Sequence, residues 1–444
     1  MDYTYKDRNG QLTLEQSRDF LKVPNCLKNF TNTATDITED NNGKETICFR
    51  GYLSVEEEDR CCPYCGHRMH LNAGRENHLR HLPFGPYPSA VTFSHCQFQC
   101  PQCHKTTSHY VPFKAEGFRI TEQLHAYIRD LLSAGTYTLK MIADATGVNE
   151  NTVKAIDLQR LQEKYCDDDG NLKKPEEQAV YLGIDEFKLH NGHKYATHII
   201  NMETGHILWI ARGKKKQVVY DFIEHVGLEW MDNVEVVACD MNSDFQEAFE
   251  EKCPHIQPVF DYFHIVKNFN DNVIDKVRKD ETRRLEAEGD LAAARSLKRC
   301  KYILTSSRKT LAKKDTVLPK GKNNALSRYE ELIANNKLLL AADLIKTKLS
   351  HAYAYDDEID MANDITEIIE LCNSTGNTHF RWFGRLLLNH FEGIVAHATY
   401  RISAGKIEGI NNRIKTLRRQ GYGYPDDDYF FLKLFDMSRS HDRY

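Results

Sequence analysis

Long apolar runs are missing from this chain of 444 residues. Nowhere do about 18 apolar residues follow one another, the length a membrane-crossing helix needs. The opening Met-Asp-Tyr-Thr-Tyr-Lys-Asp-Arg-Asn-Gly is polar, unlike a secretory leader. Membrane insertion and export are therefore not expected, and a cytoplasmic protein is. An excess of positive charge is missing as well: 59 Lys and Arg stand against 64 Asp and Glu, a formal net charge of -5. That balance argues against indiscriminate nucleic-acid binding by the whole surface, though it leaves room for local basic faces. Even scatter of cysteine is the third absence. Of 13 cysteines, six (Cys61, Cys62, Cys65, Cys96, Cys100 and Cys103) fall within one short region, which without an export leader favours a metal site over disulfides. What is present, 41% hydrophobic and 28% charged residues, is the make-up of a soluble globular protein. The length predicts roughly two to four units at about 150 residues each.

Residues 1–45 form a poorly defined N-terminal segment. Leu12 to Phe30 admits a helix, and the runs Thr-Asn-Thr-Ala-Thr-Asp and Glu-Asp-Asn-Asn-Gly read as loop. Within 46–113, Cys62-Pro-Tyr-Cys65 and Cys100-Pro-Gln-Cys103 each put two thiolates on a tight turn. Two such turns complete a tetrahedral Zn²⁺ site with no open position, so the metal is expected to be structural rather than catalytic. Strand-like stretches at Ala90 to Phe93 and Gln97 to Gln99 suggest a zinc ribbon. Over 114–165 the period turns helical, with Leu124, Ile128, Leu131 and Leu132 on one face. Leu139 to Ala145, a turn at Gly147 and a second helix from Asn149 then have helix-turn-helix spacing. That second helix offers Asn149, Glu150, Asn151, Thr152 and Lys154 to a major groove; an ordinary helical hairpin is the plainer alternative. Residues 166–178 read as a linker.

From Tyr181 to Gly213, three runs rich in β-branched and aromatic residues are separated by His-Asn-Gly-His and Glu-Thr-Gly, the pattern of an antiparallel meander. Asp185 lies inside the first run, where a carboxylate is costly unless solvated, paired or holding a metal. A helix from Val218 to Trp230 follows, then the apolar run Val234 to Asp240 with Asp240 at its C-terminal end. A further helix opens at Ser243, and a short strand, Gln257 to Phe260, leads into Asp261-Tyr-Phe-His264. Three hairpin strands, helix, strand, helix, strand is the order of a ribonuclease-H-like core, in which the first and fourth strands lie side by side and parallel. Asp185 and Asp240 should thereby meet, while Glu186 points to the opposite face. The expected architecture is thus α/β and multidomain. A zinc ribbon and a helix-turn-helix precede a mixed-sheet core over 179–270, a helical insertion fills 271–400, and 401–444 returns to the core.

The last informative block is Ser403-Ala-Gly-Lys-Ile-Glu-Gly-Ile-Asn-Asn-Arg-Ile-Lys-Thr-Leu-Arg-Arg-Gln. Ile407, Ile410, Ile414 and Leu417 form an apolar stripe, and Glu408, Asn412, Lys415 and Arg419 fall on another face. Together with Gly-Ile-Asp185-Glu-Phe, Cys-Asp240-Met and Phe-Asp-Tyr-Phe-His264, this block resembles the transposases of the ISL3 family of bacterial insertion sequences. The resemblance extends over most of the chain and implies a DDE triad of Asp185, Asp240 and Glu408 binding Mg²⁺ or Mn²⁺. His264 reads as a local hydrogen bonder rather than a metal ligand. The expected partner is double-stranded DNA, both insertion-sequence ends and target. Asn149, Asn151, Thr152 and Lys154 would read it, and Asn412, Lys415, Arg418 and Arg419 would lie along its backbone. Pairing two ends implies at least a dimer on DNA. The rival readings are a DNA-binding regulator with a silent core and a ribonuclease-H-like nuclease without strand transfer.

Overall fold

The computed structural model describes residues 27–39, 45–192, 194–241, 243–317, 324–403, 405–421 and 423–439. Most of the helix expected over Leu12 to Phe30, and residues 40–43 of the second expected loop, lie outside them. The chain forms two compact units, residues 1–173 with 418–444 and residues 174–417.

The first unit opens with a mixed sheet of β1 (Phe30–Glu39), β2 (Glu45–Leu53), β3 (His70–Phe84), β4 (Tyr87–Gln99) and β5 (Thr106–Ser108), in the order β1-β2-β4-β3 with β5 also on β4. β2 and β4 run parallel, and the other pairs are antiparallel. The run Thr31 to Asp36, expected as loop, is strand. Its polar side chains sit on the sheet's edge strand, which has no buried residue, and the ladder to β2 fixes it without an apolar face. The two short strands expected at Ala90 and Gln97 are one continuous β4. Ile47, Phe49, Leu79, Val91, Phe93 and Phe113 form the core beneath.

Three helices follow: α1 (Glu122–Ala134), α2 (Leu139–Thr146) and α3 (Glu150–Tyr165). Thr121, Thr138 and Asn149 each accept a first-turn backbone N–H, satisfying donors that a helix start leaves unpaired. Gly147 turns α2 into α3 at φ 70°, and a Cβ there would sit 2.8 Å from Pro88. Only glycine meets both demands. Leu124, Ile128, Ile142, Val153 and Ile156 are buried between the three helices.

The second unit holds β6 (Tyr181–His190), β7 (Lys194–Asn201), β8 (Ile207–Arg212), β9 (Val236–Ala238) and β10 (Gln257–Val259), in the order β10-β9-β6-β7-β8. β6, β7 and β8 are the expected antiparallel meander, and β9 runs parallel to both β6 and β10. The intervening helices are α4 (Lys216–Val226), a short turn of helix at Leu228–Met231, and α5 (Ser243–Lys252). α6 (Tyr262–Phe269) then opens a helical stretch that reaches Tyr400. This stretch is not a satellite with its own core. Leu182, Ile199, Phe222, Phe249 and Phe260 belong to the same buried cluster as Phe269, Ile345, Ile368, Phe380 and Phe383.

The end of the chain divides differently from the sequence expectation. α7 (Gly405–Gln420) carries Glu408, but α8 (Asp427–Ser438) belongs to the first unit and packs on α3. Asp157, wholly buried on α3, accepts from Arg160, from the Tyr429 hydroxyl at 2.7 Å and from Lys433 at 2.9 Å. Asp436 on α8 in turn accepts from Arg160 at 2.9 Å, Lys164 at 3.0 Å and Tyr165 at 3.0 Å. Two buried carboxylates thus have their oxygens met from both helices, which is what makes burying them tolerable.

Candidate active site and metal centre

Asp185 reaches its place because β6 is apolar enough to be central. Leu182, Gly183 and Ile184 are buried before it and Phe187 after it. The parallel register pairs Tyr181 with Val236, Leu182 with Val237 and Gly183 with Ala238. The pairing ends at Gly183 and Ala238; the same register carried on two residues would set Asp185 beside Asp240. Asp240 caps itself, its Oδ1 accepting the Met241 N–H at 2.7 Å, and the same oxygen lies 3.5 Å from His264 Nδ1. His264 is held there by α6, whose start is fixed by Asp261 accepting the Phe263 N–H at 2.6 Å.

Asp185 Oδ1 accepts the Glu186 N–H at 2.8 Å, and Oδ2 accepts from Asn411 Nδ2 at 2.6 Å. Asn411 lies on α7, three residues beyond Glu408. Ile407 docks the same helix, since a Cβ on Gly183 would meet Ile407 Cδ1 at 2.9 Å. Glu408 stands between these two anchors on the first turn of α7 and is exposed. Glu186 is turned away and lies 3.9 Å from Lys214.

Sequence reasoning missed two neighbours of Asp185. Asn411 sits inside the Glu-Gly-Ile-Asn-Asn block, one helical turn past the acid, so its spacing was a usable signal. His198 carried none, because only the β6–β7 register sets it opposite Asp185. It is fully buried, and burial pushes its imidazole down to about 4 against the pull of the Asp185 charge.

The three carboxylates are not drawn together as tightly as the cysteines. Among the described residues, the group of three or more metal-ligating side chains whose donor atoms all lie within 4.8 Å of one another is Cys62, Cys65, Cys100 and Cys103. Cys62 and Cys103 sulfurs are 3.5 Å apart, and those of Cys65 and Cys100 are 3.4 Å apart. A tetrahedron with Zn–S bonds of about 2.3 Å has edges of about 3.8 Å, so the quartet fits that ion with little adjustment. The Cys103 N–H draws the Cys100 thiol down to about 6. Cys65 accepts from the His67 amide, yet burial and the neighbouring sulfurs push it up to about 12. Cys61 is exposed and outside the group.

The candidate DNA-contacting residues divide. Asn149 spends its side chain capping α3, accepting the Asn151 N–H at 2.9 Å. Asn151 is exposed and Thr152 half-buried. Lys154 turns toward α8, where it pairs with Asp426 at 3.1 Å and lies 5.0 Å from the Tyr429 ring centre. On α7, Asn412, Lys415 and Arg419 are exposed, and Arg418 is half-buried. No helix among the described residues is long and apolar enough to cross a membrane.

Comparison with known proteins places the chain. A family model for DDE transposases of the ISL3 type, described as transposase, matches residues 182–434 and so spans all three acids. The transposase for insertion sequence element IS1001 of Bordetella parapertussis is 26% identical over 385 residues, covering 86% of this chain and 90% of that protein. The transposase for IS1557 of Mycobacterium tuberculosis is 23% identical over 281 residues, 59% of each chain. With its matched region running from the strand of Asp185 to the helix after Glu408, this chain belongs to the ISL3 family of DDE transposases.

Proposed function

We propose that this protein binds the ends of an insertion sequence and cuts and joins DNA through Asp185, Asp240 and Glu408. The reading is carried by one observation above others. The Asn411–Asp185 hydrogen bond ties the helix that bears Glu408 to the strand of Asp185, and the parallel β6–β9 register, carried two residues beyond Ala238, would bring Asp240 alongside. The strand order β10-β9-β6-β7-β8 supports a ribonuclease-H-like core, since it is the order in which the fourth strand lies beside the first. The capped α2, the glycine turn and the capped α3 support a helix-turn-helix reading, with Asn151 and Thr152 on the groove-facing side.

An all-oxygen donor set of three carboxylates suits hard Mg²⁺ or Mn²⁺. Bound there, such ions supply Lewis acidity and charge neutralisation for in-line displacement at phosphorus. Asp185 and Asp240 would hold the ions from the sheet, and Glu408 from the first turn of α7, the helix that Asn411 ties to Asp185. The reaction needs no covalent intermediate. Water opens the phosphodiester at the element's end, and the released 3′-hydroxyl then attacks a target phosphodiester, with one P–O bond formed and one broken each time. Lys415, Arg418 and Arg419 lie further along α7 and would neutralise backbone phosphates. Cys62, Cys65, Cys100 and Cys103 would hold a structural Zn²⁺. Synapsis of two ends requires at least a dimer on DNA.

The test is nicking of the cognate end and joining of pre-cut ends by the purified chain in Mg²⁺. Asp185→Asn, Asp240→Asn and Glu408→Gln should each abolish both reactions while end binding persists. Binding without any metal-dependent cleavage by the unmodified protein would support a regulator instead, and cleavage without joining a nuclease.

A further inference from the structure

One stretch of the second unit carries a charge pattern that neither the triad nor α7 accounts for. Between Asp290 and Asp315 stand eight cations and no acid, in a chain whose net charge is -5. Two of the eight are spent on carboxylates. Lys301 lies 3.6 Å from Asp271 and 3.4 Å from Asp275, and Arg308 pairs with Asp343 at 2.8 Å and Glu330 at 3.4 Å. Among the described residues, no carboxylate comes within ion-pair reach of Arg295, Lys298, Arg299, Lys309, Lys313 or Lys314, and all six are exposed.

Burial sorts this stretch into two sides. In the helix Leu291–Lys298 and the short helix Lys301–Thr305 after it, Leu297, Cys300 and Leu304 enter the buried cluster shared with the sheet. Arg295, Lys298, Arg299 and Tyr302 recur at i, i+3, i+4 and i+7 on the side left to solvent, where Tyr302 is 53% exposed. Lys314 joins them from the next helix, Arg308–Val317, which Leu311 anchors to the same cluster. Its Nζ lies 4.4 Å from the Tyr302 ring centre, a cation–π contact that fixes it near the turn bearing Arg299. Stability does not call for this arrangement. The helix dipole favours Lys298 and Lys314, each in a last turn, but not Lys309 in a first one, and Arg295 and Arg299 repel each other at four residues' spacing. A second lysine–tyrosine pair shows the contrast. Lys252 lies 5.4 Å from the Tyr220 ring centre, yet Glu251 accepts from that tyrosine and both Glu247 and Glu251 accompany Lys216 at 2.6 Å, a setting that repels phosphate.

Unpaired cations fixed on one face complement the charge of a phosphodiester backbone. Residues 291–314 contain no Asn or Gln to read base edges, so their grip is on the backbone and independent of sequence. Such a grip suits a target duplex, which need only be held, better than an element end, which has to be recognised. We infer that Arg295, Lys298, Arg299 and Lys314, gathered around Tyr302, form a docking face for the backbone of the target duplex. This rests on the proposed strand transfer, but the docking itself can be read without catalysis.

The experiment compares the full-length wild type with Arg299→Gln/Lys314→Gln and with Lys252→Gln/Lys337→Gln, a control that removes the same charge outside the face. Affinity for a duplex lacking the element end is measured against salt, and joining of pre-cut ends into that duplex is measured beside it. The first pair should lose about ten-fold in both, and its log–log salt dependence should flatten by about two, one per lost phosphate contact. The control pair should stay near wild type, and Arg299→Lys/Lys314→Arg, which keeps the charge, should recover most of the loss. End binding and end cleavage should be unchanged throughout. Thermal melting should match wild type; if it does not, the charge-keeping variant separates charge from fold at the same two sites. Unchanged affinity and salt slope in the first pair, equal losses in both pairs, or no wild-type affinity for such a duplex would overturn the inference. A matching loss of end cleavage would overturn the assignment to the target. Should the wild type bind the duplex but neither cut nor join, the proposed function falls, while the salt slopes still decide whether this face holds DNA.

Discussion

Asn411 Nδ2 donates to Asp185 Oδ2 at 2.6 Å, tying the helix that carries one acid to the strand that carries another. A hydrogen bond to a charged acceptor contributes about 1.5–3 kcal/mol. Replacing Asn411 with Ala should lower the melting temperature and slow end cleavage by about ten-fold, a loss equivalent to about 1.4 kcal/mol. Asn411→Asp should be worse, because it sets a second negative charge against Asp185. End binding measured in parallel should stay near wild type in both.

Gly183 is the other anchor. A methyl group there would collide with Met202 Sδ and approach Ile407 Cδ1 to 2.9 Å, so α7 must lift or the strand must bend. Gly183→Ala should cost about 1–3 kcal/mol, as overpacking does. Its activity should fall further than its stability explains. A shift of melting temperature with full activity would mean that Met202 alone absorbs the clash.

The carboxylates between α3 and α8 predict an acid-sensitive first unit. Burial opposes ionisation of Asp436, but Arg160 and Lys164 outweigh it and hold the carboxyl well below the usual carboxylate range. Its folded pKa is depressed, so the stability it contributes is present above about pH 3.9, the unfolded value, and is lost as pH falls toward the folded one. Asp436→Asn should remove that acid dependence. At neutral pH it should destabilise the unit by about 3–5 kcal/mol by leaving Arg160 short of a buried partner. Urea denaturation across acid pH measures both effects.

The cysteine quartet predicts one zinc per chain by atomic absorption. Chelation, or Cys100→Ser, should unfold the end of the first sheet where Met69 and Phe98 pack against Cys62 and Cys100. Structural zinc contributes on the order of 10 kcal/mol or more to modules of this kind. Hydrogen exchange should therefore rise sharply at the knuckles and much less in α1–α3, which have a separate core.

Much of this was legible because it is local. Gly147 and the capping residues Thr121, Thr138 and Asn149 mark their helices in the sequence itself, and the glycine-containing breaks mark the meander. The four knuckle cysteines announce their meeting by spacing. β1 and β3 were hidden by their composition, since edge and outward-facing residues such as Thr31, Asn32, Asn77 and His78 give no apolar alternation to read. The return of α8 to α3 was hidden for a different reason. Asp157, Arg160 and Asp436 read as ordinary surface charges until two helices far apart in sequence bury them together. The pairing of His198 with Asp185 depends on strand register, which composition does not specify.

The central claim is that Asp185, Asp240 and Glu408 serve one divalent-ion site on DNA. Anomalous scattering from Mn²⁺ in crystals of the protein bound to its element end tests this most directly. The account predicts manganese peaks contacting carboxylate oxygens of all three residues, and their loss in Glu408→Gln with the DNA still bound. Manganese held by the two aspartates with Glu408 remote and unmoved, in a complex that still cleaves, would contradict it.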